Sequence, residues 1–312
     1  MNKLKIGVSA CLTGDNVRYD GGSKLNRWMM DRFGEYVTFT KFCPEMMMGL
    51  GVPRETVQLR RNSDTGKISL VGSKSGTDHT NKAIETVGQL ISNLPSDLDG
   101  FVLMSNSPSC GQRFVKVYES KNGIPHKDGV GFLAKSLSER FPNVPAIESY
   151  RLNEERQREA FLCHLFAYRE LSTMSLNPSE IQRFHRDNKY LYLSFNPKIS
   201  RDMGRLVAGI NKSNMAEELN KYASLLKDVF SRPRRQSHGE DALLHMNGYL
   251  KRELSREERH FLIDSVEKYR KGLVHFATPL NLIRLANLRI SDRYIAEQKI
   301  FEPYPEGLSA QA

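Results

Sequence analysis

The sequence predicts an α/β domain followed by an all-α domain. Up to about residue 150, short apolar or β-branched runs alternate with segments of helical periodicity. This alternation is typical of a three-layer α/β domain with a mostly parallel sheet. Beyond residue 150 the strand signals stop, and amphipathic segments with helix-capping residues follow one another. Because 312 residues exceed one typical domain, we predict one domain at 1–150 and a second at 151–312.

The elements of the first domain follow from the spacing of apolar residues. Predicted strands cover Ile6–Ala10, Val37–Phe42, Phe101–Met104, Val115–Tyr118 and Ala146–Glu148. Predicted helices cover Lys24–Phe33, Asn81–Leu94 and Gly131–Arg140. In the second of these helices, Ile84, Val87 and Ile91 recur at helical spacing and define an apolar face.

Capping residues define the helices of the second domain. Asn153 can cap a helix over Glu154–Leu171, which we expect to link the two domains at about 154–171. Asn177-Pro-Ser-Glu180 places a cap, a first-turn proline and an N3 glutamate in order, which predicts a helix to about Phe195. Three further helices are predicted. The first is Arg201–Ile210, which Ser200 can cap, the second is Met215–Phe230, and the third begins at the capping box Ser255-Arg-Glu-Glu258.

The composition excludes several classes of protein. No apolar run approaches the roughly 20 residues that span a bilayer, and the predicted first strand leaves no room for a signal peptide. Four cysteines are too few for a disulfide scaffold in a chain of this length. We therefore expect a cytoplasmic protein without a membrane partner, whose thiols serve metal binding or catalysis.

The chain is basic in both halves. Its formal net charge is +10, and Lys and Arg exceed Asp and Glu by 4 in residues 1–150 and by 6 in residues 151–312. Clustered basic residues raise the affinity for phosphates, which favours a polyanionic partner such as a nucleic acid. On charge alone, a basic protein without such a partner fits equally well.

Three cysteines stand in turns at the ends of predicted strands. Cys11 ends the first strand, Cys43 the second, and Cys110 follows the run Gly100-Phe-Val-Leu-Met104. Parallel strands gather their carboxyl ends at one edge of a sheet, where ligands bind. Three thiols at one edge suggest a metal site or a cluster, and a thiolate nucleophile is the next alternative. Cys163, among apolar residues of a predicted helix, is expected to be a packing residue.

The spacing of these cysteines favours an iron–sulfur cluster over zinc. Structural zinc sites use paired Cys-x-x-Cys ligands and a fourth ligand, and neither a cysteine pair nor a nearby histidine is present. Iron–sulfur clusters are bound by thiolates. A 4Fe–4S cluster held by three cysteines would leave one iron open to act as a Lewis acid on a soft atom such as sulfur.

Five motifs resemble, in the same order, those of the thiouracil desulfidase family. They are Val8-Ser-Ala-Cys11-Leu, Asn16-Val-Arg-Tyr-Asp-Gly21, Phe42-Cys-Pro-Glu45, Ser107-Pro-Ser-Cys110-Gly111 and Asp128-Gly-Val-Gly131. The resemblance covers about residues 3–150. It implies a 4Fe–4S cluster with three cysteine ligands on an α/β scaffold, and an activity that removes sulfur from thiolated pyrimidines.

The same resemblance assigns roles to individual residues. It implies that Cys11, Cys43 and Cys110 bind the cluster, that Glu45 is the acid/base residue, and that Ser107 is its polar partner near the substrate. Glu45 is two residues from a ligand, although a glutamate after Pro44 can equally open a helix. Ser9, Tyr19 and Ser109 are candidate substrate contacts. Lysines that the family often carries before Ser107 are replaced here by Met104, Ser105 and Asn106.

The second half resembles a helical domain of unassigned function that is often fused behind the desulfidase domain. Its motifs are Phe184-His-Arg-Asp-Asn-Lys189-Tyr-Leu, Met203-Gly-Arg-Leu-Val-Ala208, Leu244-His-Met-Asn-Gly-Tyr249-Leu-Lys and Pro303-Tyr-Pro305. This combination resembles the bacterial enzymes that remove sulfur from 4-thiouridine in tRNA. The resemblance implies tRNA as partner, with small thiolated pyrimidines as the alternative substrate.

A tRNA substrate requires contacts to phosphates and to a base. Candidate phosphate contacts are Lys189, Arg205, Arg232, Arg234, Arg235 and Lys251, for each of which a solvated surface charge is the simpler interpretation. The target base would leave its stack, and Tyr19 or Trp28 could stack on it, unless either ring belongs to the core.

Three hypotheses about function follow. The leading hypothesis is an iron–sulfur hydrolase that acts on 4-thiouridine in tRNA. The second keeps the chemistry but takes free thiouracils or thionucleosides as substrates. The third is a nucleic-acid-binding protein without enzymatic activity, whose cluster is structural or redox-sensing.

Overall fold

The structure is a computed structural model, and it describes residues 3–119, 123–175 and 177–309. The chain divides between Glu155 and Arg156 into two compact units. The first contains both sheets and the second contains only helices, which confirms the predicted fold class.

The strands of the first unit are, in chain order, β1 (Leu4–Ser9), β2 (Val37–Phe42), β3 (Val57–Arg61), β4 (Ile68–Gly72), β5 (Gly100–Leu103), β6 (Val115–Tyr118), β7 (His126–Gly129) and β8 (Ala146–Glu148). Its helices are α1 (Arg27–Asp31), α2 (Pro44–Met47), α3 (Thr80–Asn93), α4 (Phe132–Arg140) and α5 (Ser149–Leu152). The short α1 occupies part of the predicted 24–33 helix, while α3 and α4 lie close to their predicted positions.

One sheet has the strand order β2-β1-β5-β8, and all its pairings are parallel. In this sheet Gly7 of β1 is in register with Phe101 of β5. A Cβ atom at Gly7 would lie 2.5 Å from Cδ1 of Phe101 and 3.2 Å from Cε1 of Phe42. The absence of a side chain at Gly7 therefore allows the two aromatic rings to cover the middle of the sheet.

A second sheet, in the order β4-β3-β6-β7, was not predicted. It is mixed, because β3 pairs with β6 in parallel but β3–β4 and β6–β7 are antiparallel. The predicted strand Val115–Tyr118 belongs to this sheet. Strand β7 exposes three of its four residues, so its sequence lacks the apolar run that would have marked it.

The core on one side of the parallel sheet is formed by α3 and α4. Side chains of these helices, among them Val87, Leu90 and Leu133, form one cluster with Phe42 and Phe101 of the sheet. Burying apolar area at about 25 cal/mol per Å² is the dominant stabilising term in such a layer. This packing holds the strands whose carboxyl ends carry the candidate functional residues.

The helices of the second unit are α6 (Glu155–Thr173), α7 (Pro178–Phe195), α8 (Pro197–Ala208), α9 (Met215–Val229), α10 (Gln236–Leu250), α11 (Arg256–Arg270), α12 (Ala277–Ile290) and α13 (Arg293–Ala296). They share one apolar core, in which Cys163 is fully buried as predicted. Helix α6, expected as a linker, contributes Ala160, Cys163 and Leu171 to this core. Among the residues described, no helix combines the length and the apolar character that crossing a membrane requires.

Two predicted caps differ from the observed ones, and one is confirmed. Asn153 follows α5, and its Oδ1 accepts a hydrogen bond of 2.9 Å from Nδ2 of Asn26, so it does not cap α6. Helix α8 begins earlier than predicted, because Asn196 caps it and Pro197 occupies its first turn, leaving Ser200 buried inside the helix. The capping box of Ser255 and Glu258 is present at α11.

A close backbone approach joins α4 to the turn that contains Cys110. The amide of Gly131, which precedes α4, donates to the carbonyl of Gly111 at 2.8 Å. The amide of Leu133 donates to the carbonyl of Ser109 at 2.9 Å. A Cβ atom at Gly131 would lie 2.5 Å from the carbonyl oxygen of Ser109 and 2.9 Å from the amide nitrogen of Cys110. Only glycine fits there without moving the backbone.

We predict that Gly131→Ala lowers the free energy of unfolding of the first unit by about 1–3 kcal/mol, because the added methyl group overlaps backbone that cannot rotate away. The measurement is urea unfolding followed by the fluorescence of Trp28, the single tryptophan, which lies in this unit. Gly88→Ala is the control: this α3 glycine has open space around it, so we expect no loss or a gain of up to about 1 kcal/mol. Equal effects of the two substitutions would contradict the close approach.

Candidate functional site

The three cysteines follow three strands of the parallel sheet. Cys11 lies in a 3-10 turn directly after β1. This turn ends at Gly14, whose φ is 95°. Cys43 follows β2 and is the N-cap residue of α2. Cys110 lies in the turn after β5, where its amide donates to Oγ of Ser107 at 3.1 Å. Because the strands are parallel, these turns lie at the same edge of the sheet.

The thiols are close enough to affect one another electrostatically. Burial is the main reason that the pKa of Cys11 is raised to about 11, and the charges of Cys43 and Glu45 raise it further. Burial also raises the pKa of Cys110, again with contributions from Glu45, Cys43 and Cys11. The pKa of Cys43 is raised by burial as well. The free thiols are therefore protonated at neutral pH, and a metal centre must displace these protons when it binds.

The donor set fits an iron–sulfur cluster by its chemistry. Three buried or half-buried thiols with no histidine among them are soft ligands of the kind that such clusters use. Across the described part of the chain, no group of three or more His, Cys, Asp and Glu side chains is arranged to hold a metal ion. Cluster ligation by Cys11, Cys43 and Cys110 therefore stays a prediction.

Glu45 lies in the first turn of α2 and is held at both carboxylate oxygens. Its Oε1 accepts a hydrogen bond of 3.0 Å from Oγ of Ser109, and its Oε2 forms an ion pair with Nη2 of Arg54. The Arg54 side chain is only 5% exposed and also donates to the carbonyls of Val17 at 3.0 Å and Gly51 at 2.8 Å. Glu45 is thus an oriented carboxylate next to three thiols.

Arg54 was missed by the sequence analysis. It stands in the segment between α2 and β3, where an isolated arginine carries no periodic or motif signal. Its amide also donates to the carbonyl of Tyr19 at 2.9 Å. Arg54 therefore fixes the Asn16–Gly21 motif, through Val17 and Tyr19, to the carboxylate of Glu45.

Ser107 and Ser109 have different surroundings. Oγ of Ser107 accepts hydrogen bonds from the amides of Ser109 at 3.2 Å and Cys110 at 3.1 Å. Within the described residues its own hydroxyl proton has no acceptor. Ser109 is buried, and its hydroxyl is used by Glu45. Ser107 can therefore donate a hydrogen bond to a ligand, whereas Ser109 orients the carboxylate.

The other predicted substrate contacts separate into accessible and buried side chains. Tyr19 is 41% exposed, and the Arg18 guanidinium lies 5.3 Å from its ring centroid. Ser9 is buried, accepts from the amide of Met104 at 3.0 Å, and hydrogen-bonds the Cys110 thiol, which lowers the pKa of that thiol against the effect of burial. Trp28 is buried and stacks on Phe33 at 5.8 Å, so it belongs to the core rather than to a base-stacking surface.

A further acidic side chain lies at the same edge of the sheet. Glu148 ends β8, is 1% exposed, and accepts a hydrogen bond of 3.0 Å from the amide of Gln112. Burial raises its pKa. The sequence analysis gave no indication of it, since a single glutamate at the end of a three-residue strand matches no motif.

The candidate phosphate contacts of the second unit are exposed, with one exception. Lys189, Arg205, Arg232, Arg235 and Lys251 are exposed. Arg234 is 6% exposed, pairs with Glu159 at 2.8 Å, donates to Ser194 and lies over the ring of Phe276 at 3.8 Å. Contrary to the expectation from the sequence, this guanidinium is a structural residue of the core and not a surface contact.

Each half of the chain matches one protein-family model. Residues 6–149 match the family model of 2-thiouracil desulfurase, and residues 189–305 match the model of DUF1722, a family of unknown function. The uncharacterized protein YbgA of Escherichia coli strain K12 is 25% identical over 158 residues, which are 49% of this chain and 94% of YbgA. The uncharacterized protein YbbK of Bacillus subtilis strain 168 is 29% identical over 116 residues, which are 35% of this chain and 75% of YbbK.

Among solved structures, the 4Fe-4S-dependent thiouracil desulfidase TudS is similar to this chain. The two are 30% identical over 49% of this chain and 95% of the TudS chain, with a TM-score of 0.37. A TM-score of this size supports no structural conclusion by itself. The two family matches thus fall on separate halves of the chain, with the 2-thiouracil desulfurase model at residues 6–149 and the DUF1722 model at residues 189–305.

Proposed function

We propose that this protein is an iron–sulfur-dependent desulfidase that removes the sulfur of 4-thiouridine in tRNA. The observation that carries the proposal is the carboxylate of Glu45, fixed by Ser109 and Arg54 at the edge of the sheet where three thiols lie. In the proposed reaction a water oxygen replaces the sulfur on the pyrimidine ring. The products are uridine, hydrosulfide and one proton: the water oxygen stays on the ring, one water hydrogen leaves with the sulfur, and the other is released.

Cys11, Cys43 and Cys110 are the residues that would hold the cluster. When bound, a 4Fe–4S cluster with three protein ligands supplies a Lewis-acidic iron suited to the soft sulfur of a thiocarbonyl. Cys11 and Cys110 are buried and Cys43 is half-buried, so the surroundings of these ligands limit the access of water.

In this proposal Glu45 is the general base. A carboxylate has about four lone-pair sites, so the contacts to Ser109 and Arg54 leave capacity for a water molecule. Glu45 takes a proton from this water as the oxygen attacks the ring carbon, and it returns the proton to the departing sulfur. The second proton of the water is released to solvent when the carbonyl of uridine forms. The guanidinium of Arg54 holds the second carboxylate oxygen in place, so that the orientation of Glu45 is fixed from both sides.

Ser107 is the proposed hydrogen-bond donor to the substrate. Its oxygen accepts two backbone amide bonds, which polarise the hydroxyl and leave its proton for a polar atom of the base. Ser109 acts indirectly, by orienting Glu45. The two serines of one motif thus have separate roles in the proposed mechanism.

The choice of tRNA rests on charge. The net charge is +10, and exposed basic side chains in the second unit include Arg232 and Arg235 at the start of α10. A polyanionic substrate is attracted by such a surface, and a free base is not. Free thiouracils are the second candidate, because the family that matches residues 6–149 is described as 2-thiouracil desulfurase.

The substrate is tested by anaerobic incubation of the iron-loaded protein with thiolated tRNA or with free 4-thiouracil, followed by nucleoside analysis and sulfide measurement. We expect a larger kcat/KM for tRNA. In the double variant Arg232→Gln, Arg235→Gln this value should fall about tenfold at moderate salt, because two phosphate contacts are lost, while the value for 4-thiouracil stays unchanged.

Arg284→Gln is the control for this experiment, since the Arg284 guanidinium is already paired with Glu302. Activity on 4-thiouracil alone would favour the free base as substrate. Tight tRNA binding with an intact cluster but no sulfide release would favour a binding protein without catalytic activity.

We predict that Glu45→Gln lowers kcat by about 10²–10⁴-fold, the usual contribution of a general base, because the amide has nearly the same size but cannot take a proton. Iron content should not change, since all three thiols remain. The measurement is kcat together with iron per chain. Glu139→Gln, at an exposed position of α4, is the matched control, and a Glu45→Gln protein with nearly full kcat would remove Glu45 from the mechanism.

For the two serines we predict that Ser107→Ala lowers kcat about 10- to 100-fold and Ser109→Ala about tenfold. Ser107→Ala removes a donor to the substrate, whereas Ser109→Ala removes one of two contacts to Glu45 and leaves Arg54 in place. Steady-state kinetics with the same substrate measures both. A larger loss in Ser109→Ala would assign the substrate contact to Ser109 instead.

A further inference from the structure

The segment from Met104 to Arg113, here named the Cys110 loop, carries Ser107, Ser109 and Cys110. It follows β5 and precedes β6. Its turn is closed internally by the amide of Gly111, which donates to the carbonyl of Ser107 at 2.8 Å. The position of the whole loop relative to the sheet depends on contacts at its two ends.

The first end of the loop is bound to Ser149, the residue after β8. Oγ of Ser149 lies 2.9 Å from Oγ of Ser105, and the amide of Tyr150 donates to Oγ of Ser105 at 3.0 Å. Ser105 and Ser149 are both buried. The hydroxyl pair is therefore protected from competition by water.

The second end of the loop is bound to Glu148, the neighbour of Ser149. The amide of Gln112, two residues after Cys110, donates to Oε1 of Glu148 at 3.0 Å. The backbone amides of Gln112 and Arg113 both favour the ionised form of this carboxyl. Glu148 is itself fixed by β8, where it is in register with Leu103 of β5, the residue before the loop.

We propose that Glu148 is a positioning residue, which together with Ser149 clamps both ends of the Cys110 loop and so sets the place of the third thiol. Two consecutive residues of one strand end hold the entry and the exit of the loop. Loss of the bond between Gln112 and Glu148 would free the exit of the loop two residues from Cys110.

The chemistry of Glu148 favours this role over plain packing. Its Oε2 is buried and has no hydrogen-bond partner within the described residues. A carboxylate that is buried with an unpaired oxygen destabilises the fold relative to an apolar or amide side chain of similar size. The amide of Gln112 needs an acceptor at this position, and Glu148 supplies it.

The test uses the full-length protein, and its readouts do not depend on desulfidase activity. Iron release from the loaded protein to a chelator is followed first. The four thiols of the iron-free chain are then alkylated with iodoacetamide, and each is quantified by mass spectrometry. In Glu148→Ala we expect iron release and labelling of Cys110 to be at least about tenfold faster, because the exit of the loop opens locally.

The remaining cysteines are internal references. Cys11 and Cys43 lie on other loops, and Cys163 is fully buried in the second unit, so their labelling should change by less than about twofold. Glu148→Gln keeps an oxygen acceptor for the Gln112 amide and should restore both rates to within about twofold of the parent protein. Ser149→Ala should accelerate labelling of Cys110 less than Glu148→Ala does.

Glu55→Ala is the matched control, because the Glu55 carboxylate also accepts backbone amides, those of Lys74 and Ser75, but in a different loop. This substitution should leave the labelling rate of Cys110 unchanged. The proposal is overturned if Cys110 labelling in Glu148→Ala equals that of the parent protein, or if all four thiols accelerate together, which would indicate general destabilisation. If Glu148→Ala does not fold, Ser149→Ala decides: labelling of Cys110 at the parent rate in that variant would overturn the proposal. These outcomes do not depend on whether the substrate proposal holds.

Discussion

The parallel pairing of β1 with β2 on one side and β5 on the other is the constraint on which the candidate site depends. It brings the carboxyl ends of three strands to one edge, and with them the turns of Cys11, Cys43 and Cys110. Strand β8 extends the same edge through β5 and adds Glu148. Residues far apart in the chain therefore meet without any long connecting element, because each is placed by the end of its own strand.

Two glutamates lie at this edge, the half-buried Glu45 and the buried Glu148, and they differ in the partners of their carboxylates. The carboxylate of Glu45 is paired with Arg54 at one oxygen and with Ser109 at the other, which fixes its orientation. Glu148 lacks a comparable ion pair to its Oε2 and has a raised pKa because of burial, and its contact is to backbone. The first arrangement suits proton transfer to a reactant, and the second suits fixing a loop.

The family match and the geometry support different parts of the functional proposal. Residues 6–149 match a family described as 2-thiouracil desulfurase, and the geometry places an oriented carboxylate, that of Glu45, at the sheet edge where the three thiols lie. The second unit adds exposed basic side chains on a helical scaffold, and its residues 189–305 match the model of a family of unknown function. Its structural arginine, Arg234, shows that a run of basic residues contains both core and surface members: Arg232 and Arg235 are exposed, but Arg234 pairs with Glu159 inside the unit.

The sequence by itself determined the fold class, most helices and the strands of the parallel sheet, because these depend on local periodicity, capping chemistry and turn composition. It placed α11 by its capping box and marked Cys163 as a packing residue. Only the tertiary structure decided the second sheet, the ion pair of Arg54 with Glu45, the separate partners of Ser107 and Ser109, and the contact of Glu148 with Gln112. These features arise between segments that are distant in sequence, for example 36 residues apart for Gln112 and Glu148. Their energies come from burial and pairing, which no local pattern of residues records.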